Sequence, residues 1–224
     1  MIKLEWIKEL LEYAIYSAYV EGETPVSILV VADTEMGKTK LLETFAQNKG
    51  VAYISDFTRF GFVRDWLPKI KSGDVKVIIV PDLLSLVAGR QRQSADGVIT
   101  FLNSMTEEGL KSISTFGMSF DLDKPVKMGF IGAIPRQVFM DKRSAWRKLG
   151  FISRTLPVSY SYSKQTTAEI IDYITKSKHV NEPLIKLNTP DHVTKVEISE
   201  KYAKELIPLG RHLAKLLNEK GFRL

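Results

Sequence analysis

The stretch from residue 26 to residue 39, VSILVVADTEMGKT, decides which fold this chain is expected to adopt. Residues 26–31 are apolar except for Ser27 and rich in β-branched side chains, a pattern that predicts a buried strand. A loop that ends in Gly37 follows the apolar run, and residues 38–47 then have helical spacing. A buried strand that runs through a glycine turn into a helix is typical of an α/β fold.

The same alternation continues outward from this stretch. The remaining apolar segments predict strands at 51–55, 75–80, 112–118 and 126–131, and helices at 3–20, 62–70 and 98–108. Strands that alternate with helices predict an α/β fold with a mostly parallel sheet flanked by helices. After Ser163 the pattern is helical, over 166–177 and 199–220. We therefore expect a core domain over 1–163 and a small helical C-terminal appendage over 164–224.

Composition excludes several classes of protein. The chain has 224 residues, of which 44% are apolar and 26% charged, as in an ordinary globular protein. No apolar run approaches the ~20 residues of a membrane span, and acids interrupt the N-terminal stretch, so neither a membrane association nor a signal peptide is expected. The absence of cysteine excludes disulfides and thiolate metal sites. These features predict a cytoplasmic protein.

Charge is unevenly distributed along the chain. Residues 1–141 hold 16 Lys and Arg against 18 Asp and Glu, whereas residues 142–224 hold 16 against 8. A basic last third is consistent with a polyanionic partner such as DNA. It is equally consistent with a lysine-rich solvated surface.

The residues after the first strand form an A-x-x-x-x-G-K-T motif, a phosphate-binding loop whose first glycine is replaced by Ala32. Such a loop wraps phosphates with backbone N–H groups, and the tight turn requires a residue such as Gly37. Lys38 would contact the β- and γ-phosphates, and the Thr39 hydroxyl would bind Mg²⁺. The alternative is a chance Gly-Lys-Thr at a helix start. The predicted nucleotide-binding residues are Thr34, Glu35, Met36, Gly37, Lys38, Thr39 and Lys40.

A second candidate metal ligand follows the strand at 75–80. Asp82 stands where that strand would leave the sheet, as expected of a carboxylate that holds Mg²⁺ beside the phosphates of ATP. The alternative is that Asp82 caps a helix beginning at Leu83, a position that also favours aspartate. ATP and Mg²⁺ are thus the expected ligands, with Thr39 and Asp82 at the metal.

The residue that would activate water is not assigned by the motif, because Leu83 and not an acid follows Asp82. Asp56, at the end of the second predicted strand, is one candidate for the catalytic base. Glu107 and its neighbour Glu108, at the end of the helix predicted over 98–108, are others. The alternative for each of them is an acid on a solvated surface.

Taken together, residues 26–160 resemble the ring-forming P-loop ATPases of the AAA+ type and the related helicases of mobile genetic elements. In that family the strand corresponding to 126–131 ends in a polar residue that senses the γ-phosphate. Here it ends in Gly132-Ala133, so the resemblance implies that this sensor is either missing or displaced to Arg136 or Gln137. The basic segment at 143–154 resembles the region that carries an arginine finger.

The resemblance implies that Arg154, or as second choice Arg147, contacts the γ-phosphate of a neighbouring subunit in a ring. The alternative is that both are basic residues on a solvated helix.

The resemblance further implies ATP hydrolysis coupled to work on DNA, as a motor, helicase or loader. An alternative function is a nucleotide-gated binding or assembly factor with little or no hydrolysis, which the missing acid after Asp82 favours. A small-molecule kinase is a third possibility, although the sequence marks no acceptor site.

Overall fold

The protein is described here by a computed structural model that covers residues 3–87, 92–115, 118–176 and 183–219. A π-helical turn, Ser104–Glu108, follows the fifth helix. The other elements are, in chain order, α1 (Glu5–Ser17), β1 (Ile28–Ala32), α2 (Lys38–Glu43), β2 (Gly50–Tyr53), α3 (Arg59–Lys71), β3 (Val75–Val80), α4 (Leu83–Val87), α5 (Arg92–Asn103), β4 (Leu110–Thr115), β5 (Met118–Val126), β6 (Gly129–Pro135), α6 (Arg136–Lys148), α7 (Phe151–Arg154), β7 (Leu156–Ser159), α8 (Lys164–Lys176) and α9 (Glu200–Glu219).

Five strands form one sheet in the order β2-β3-β6-β1-β7, and every pairing within it is parallel. β1 lies between β6 and β7, with Ala32 opposite Pro135 and Val31 opposite Ser159. All five residues of β1 are buried, as expected of a central strand in a sheet covered on both faces. β4 and β5 form a separate antiparallel pair.

The two faces of the sheet carry different helices. Alternate residues of β1 point to opposite faces, so Ile28 and Val30 pack with α1 and α2, whereas Leu29 and Val31 pack on the other side. α1 contributes the side chains that its helical spacing predicts: Ile7, Leu11, Ala14 and Ile15. The opposite face is covered by buried side chains of α3, α4, α5, α6 and α7.

Aromatic contacts attach α6 and α7 to the sheet. The ring of Phe151 lies 5.9 Å from that of Phe130 in β6 and 5.3 Å from that of Trp146 in α6, with both pairs edge to face. Such pairs contribute roughly 0.5–1.5 kcal/mol each beyond their buried area. They anchor the segment that leads from β6 to β7, and hence the path by which the chain returns to the side of β1.

The predicted α/β fold, with a mostly parallel sheet flanked by helices, is confirmed. The helix after the glycine turn ends at Glu43 rather than near residue 47, where turns follow. The strand predicted over 112–118 belongs to the β4–β5 pair and not to the sheet, and residues 116 and 117 of it lie outside the described residues. The strand predicted over 126–131 is displaced, because Val126 ends β5 and β6 begins at Gly129.

By its contacts the chain divides into two compact units, Met1–Val193 and Thr194–Leu224. α8 belongs to the first unit, where the Lys3 ammonium donates to the Thr166 hydroxyl and pairs with Glu169, both at 3.1 Å. The second unit contains α9. The predicted boundary after residue 163 stays a prediction. Among the described residues, no helix is long and apolar enough to cross a membrane.

Candidate functional site

The carboxyl ends of the parallel strands meet at one edge of the sheet, called here the carboxyl edge. The loop that follows β1, residues 33–37, leaves the sheet there. Asp82 follows β3, Arg136 follows β6 and Tyr160 follows β7 at the same edge. Parallel pairing therefore brings together side chains that are far apart in sequence.

The chain leaves β1 and β6 toward opposite faces of the sheet, and this divergence opens a crevice between the two strands at the carboxyl edge. After β1 the chain passes to α2, whose buried Leu41 and Leu42 pack on the face that carries α1. After β6 it passes to α6, whose buried Trp146 packs on the opposite face. Neighbouring strands whose connections diverge in this way form the switch point where open α/β sheets bind ligands.

The loop between β1 and α2 is sharply turned. Glu35 and Gly37 have positive φ values of 64° and 78°, and the left-handed conformation at the second is one that glycine adopts without strain. Ala32, in place of the usual glycine, is the last residue of β1 and fully buried. Its extended backbone accommodates a methyl group, so the substitution leaves the loop geometry possible.

Lys38, the first residue of α2, folds its side chain back over this loop. The ammonium donates to the carbonyl oxygens of Ala32 at 3.0 Å and Asp33 at 2.6 Å. Partial burial lowers the pKa of Lys38, whereas the carboxylates of Asp33 and Asp82 act in the opposite direction. Lys38 thus places a half-buried positive charge against the loop backbone, where it interacts electrostatically with the carboxylates of Asp33 and Asp82.

Asp82 has the capping contact that one interpretation of the sequence predicted. Its carboxylate accepts a hydrogen bond of 3.0 Å from the backbone N–H of Leu84, in the first turn of α4. The Ser85 hydroxyl lies within hydrogen-bond distance of two carbonyl oxygens, that of Asp82 at 2.7 Å and that of Ser55 at 3.0 Å, which brings the segment after β2 close to this turn. A carboxylate has two oxygens and about four acceptor positions, so the cap leaves it able to bind a further group.

Arg136 lies at the junction of β6 and α6 and contacts the loop from the other side of the crevice. Its guanidinium is 3.3 Å from the Asp33 carboxylate and donates to the carbonyl oxygen of Tyr160 at 3.1 Å. Gln137 instead donates to Asp141 within α6. Of the two residues predicted to replace the polar strand end, Arg136 is therefore the one placed at the loop.

Tyr160, which follows β7, is a further residue that contacts the loop after β1. Its hydroxyl donates to the Met36 carbonyl oxygen at 2.7 Å, and its ring lies 5.6 Å from that of Tyr162. Burial, and to a smaller extent Tyr162, raises the pKa of Tyr160 well above its usual value. The phenol is therefore harder to ionise than that of a solvated tyrosine. Sequence reasoning missed Tyr160, which lies outside the motif, and Asp33, which occupies one of its variable positions.

The other predicted nucleotide-binding side chains lie on the surface of the same segment. Thr34, Glu35, Thr39 and Lys40 are exposed, and Lys40 pairs with Glu43 at 2.8 Å. Asp56, the candidate base that follows β2, also lies at the carboxyl edge, next to Ser55. The structure thus brings the predicted loop residues, Asp82 and Asp56 to one edge.

The remaining predicted catalytic residues lie elsewhere. Arg154 immediately precedes β7, and Glu107 lies in the π-helical turn that bonds to Met128 just before β6. Both are at the opposite, amino edge, about 15 Å from the loop at roughly 3.3 Å per residue of β1. Arg154 forms an ion pair with Glu107 and donates to the Gly150 carbonyl oxygen at 2.9 Å.

Arg147 and Glu108 are also remote from the loop. Arg147 is exposed in the last turn of α6, which begins at the carboxyl edge and runs away from it. Glu108 lines a surface cleft with Arg59 and Phe101. Neither side chain reaches the loop of its own chain in this arrangement.

No protein-family model matches this chain, and no curated protein matches its sequence. Within the described ranges there is no cluster of three or more His, Asp or Glu side chains that could hold a metal by themselves. The interpretation of the site therefore depends on its own geometry and chemistry.

The buried phenol of Tyr160 predicts a component of alkaline instability. In the unfolded chain the phenol ionises near pH 10, whereas the folded state retains the proton. The unfolded state then binds fewer protons, so stability falls as pH rises above about 10, by up to about 1.4 kcal/mol per pH unit. Denaturant titrations between pH 8 and 11 should show a steeper loss for wild type than for Tyr160→Phe. Parallel curves would contradict this assignment.

Proposed function

We propose that the chain binds Mg·ATP at the loop over residues 33–39 and that it is an ATPase acting on DNA. The observation that supports nucleotide binding best is the position of Lys38. Its ammonium is held by the Ala32 and Asp33 carbonyl oxygens at the switch point of a parallel sheet. A phosphate group there would exchange these neutral acceptors for anionic ones, which form stronger bonds with an ammonium.

The residues at this edge fit a magnesium–nucleotide complex. Mg²⁺ in such sites binds one or two protein oxygens and completes its coordination with phosphates and water, so a cluster of protein ligands is not needed. Thr39 has an exposed hydroxyl one residue after Lys38. Asp82 has a carboxylate close enough to Lys38 that its charge acts to raise the pKa of the ammonium. The metal would supply charge neutralisation at the phosphates.

Arg136 is the second cation that a bound phosphate would meet. It neutralises Asp33, whose negative charge would otherwise oppose an anionic ligand within the loop. A γ-phosphate near this guanidinium would compete with Asp33 for it, which makes Arg136 our candidate for the residue that senses the phosphate. Asp56 is the candidate base, because it shares the edge with Asp82.

A nucleotide-gated factor with little hydrolysis is the second candidate. Leu83, where a catalytic acid would be expected, is fully buried in the core. Glu107 is at the amino edge, paired with Arg154. Of the predicted catalytic bases, Asp56 is therefore the one that lies at the carboxyl edge with the loop. If Asp56 does not activate water, slow hydrolysis of ATP is expected.

The ring arrangement is part of the proposal. Because Arg154 lies at the amino edge, it could reach a phosphate only in the loop of another copy. It would first have to leave Glu107 and the Gly150 carbonyl oxygen. On this proposal Arg154 stays paired with Glu107 until a nucleotide bound to a second subunit lies within reach of its guanidinium.

For DNA, α6 is the surface we propose. Its basic side chains Lys142, Arg147 and Lys148 are exposed, and the helix belongs to the basic last part of the chain except for its first turns. Exposed lysine and arginine side chains can neutralise backbone phosphates and release their counterions.

Replacement of Lys38 by alanine should lower the affinity for Mg·ATP by about tenfold to a hundredfold, because the loop loses its charged hydrogen-bond donor. Lys76→Ala is the matched control: that lysine is also half-buried with a pKa lowered by burial, but it lies at the amino end of β3. Isothermal calorimetry measures both. Equal affinities of Lys38→Ala and wild type would refute nucleotide binding at this loop.

Two replacements of Asp82 separate its cap from its metal role. Asp82→Asn keeps an oxygen for the Leu84 N–H, so stability should be nearly unchanged while Mg-dependent ATP turnover falls. Asp82→Ala should lose turnover and, in addition, about 1 kcal/mol of stability. Turnover assays and denaturant melts measure the two effects. Full turnover in the asparagine variant would show that the carboxylate only caps α4.

The DNA surface is tested by charge removal on α6. The triple variant Lys142→Gln, Arg147→Gln, Lys148→Gln should weaken DNA binding and reduce the slope of log affinity against log salt by about 3. A control triple with the same charge change uses exposed lysines elsewhere: Lys69, Lys111 and Lys124. Fluorescence anisotropy at several salt concentrations gives the slopes. Equal slopes for both triples would exclude α6 as a specific DNA surface.

A further inference from the structure

We propose that Tyr160 is a positioning residue which, together with Arg136, clamps the phosphate loop in its binding conformation. This inference rests on the proposed function of the loop. It assigns to the segment after β7 a role in nucleotide binding that the loop motif does not contain.

The clamp holds the loop near both of its ends. At the start, the Arg136 guanidinium lies 3.3 Å from the Asp33 carboxylate. At the end, the Tyr160 hydroxyl donates to the Met36 carbonyl oxygen at 2.7 Å. The two contacts are joined, because Arg136 also donates to the carbonyl oxygen of Tyr160 at 3.1 Å. Strands on both sides of β1 therefore hold the loop through one connected set of bonds.

The contact at Met36 fixes the orientation of the peptide unit between Met36 and Gly37. In a trans peptide the C=O and the next N–H point in opposite directions. A hydrogen bond that fixes the Met36 carbonyl therefore also fixes the direction of the Gly37 N–H, one of the backbone donors expected at the phosphates. Gly37 has a φ of 78°, and glycine alone would leave this unit free to rotate.

Tyr160 itself is firmly held. It is 7% exposed, its N–H donates to the Val31 carbonyl oxygen in β1, and its ring packs against that of Tyr162. A rigid donor of this kind orders the loop before a ligand arrives, and ordering in advance strengthens binding because less entropy is lost on association.

Tyr160→Phe removes the hydroxyl and retains the ring. Tyr19→Phe is the matched control, because Tyr19 is 3% exposed and its hydroxyl donates to the Lys49 carbonyl oxygen at 3.0 Å, at the other edge of the sheet. Both variants should lose one buried hydrogen bond and show similar decreases in melting temperature. Only Tyr160→Phe should weaken ATP binding, by about threefold to tenfold.

Backbone ¹⁵N relaxation of the nucleotide-free protein gives an independent reading of the loop. In wild type and Tyr19→Phe, Met36 and Gly37 should have order parameters near those of rigid backbone, about 0.85. In Tyr160→Phe those of both residues should fall toward the flexible range, about 0.6 or below. Loop order equal to wild type in Tyr160→Phe overturns the clamp, whatever the nucleotide affinity.

The two measurements separate the clamp from the function that it serves. A loosened loop with unchanged ATP affinity overturns the positioning role. A loosened loop in the variant, together with a wild-type protein that does not bind ATP, upholds the clamp and refutes the proposed nucleotide site. Loss of loop order together with loss of affinity, in Tyr160→Phe alone, supports both.

Discussion

The parallel pairing of β1 with β6 puts Ala32 opposite Pro135, so that two chain segments leave the sheet side by side at one edge. Each then turns to a different face, because the next apolar helix of each packs on a different side. That divergence opens the crevice and places Asp33 within an ion-pair distance of Arg136. The position of Tyr160 depends on the same constraint, since β7 pairs with the other side of β1. A change in the register of β1 would separate all of these contacts together.

Opposite charges lie close together in the crevice. Lys38 and Arg136 face the carboxylates of Asp33 and Asp82, and burial of Lys38 works against the stabilisation that the two acids give its charged form. An anion that entered would compete with both acids for the cations. This competition offers a physical reason why binding at such a loop could change the contacts of Arg136, and through the Tyr160 carbonyl those of β7. The site and the edge of the sheet beyond β1 are thus linked by direct bonds.

The sheet separates two groups of polar residues that sequence reasoning had treated together. Asp56, Asp82 and the loop share the carboxyl edge, whereas Glu107 and Arg154 pair at the amino edge. From sequence, each of these acids and bases could only be placed at the end of an element. The direction of the strands decides which residues lie at the carboxyl edge with the loop. In a parallel sheet, a residue just before a strand, such as Arg154, lies at the amino edge. A role for Arg154 in nucleotide chemistry therefore requires a second copy of the chain.

The sequence alone determined the features that neighbouring residues encode: the buried strand, the glycine turn with Lys38 after it, and the α/β alternation that predicts a parallel sheet. These follow from apolar periodicity and from the backbone freedom of glycine, which act over a few residues. It did not reveal β7, a four-residue strand with a proline and one buried side chain, or the β4–β5 pair. Nor did it reveal the bond from Tyr160 to Met36, which joins residues 124 positions apart. Only the tertiary structure decided that contact, because strand order and register are selected by the packing of both faces of the sheet and not by any local pattern.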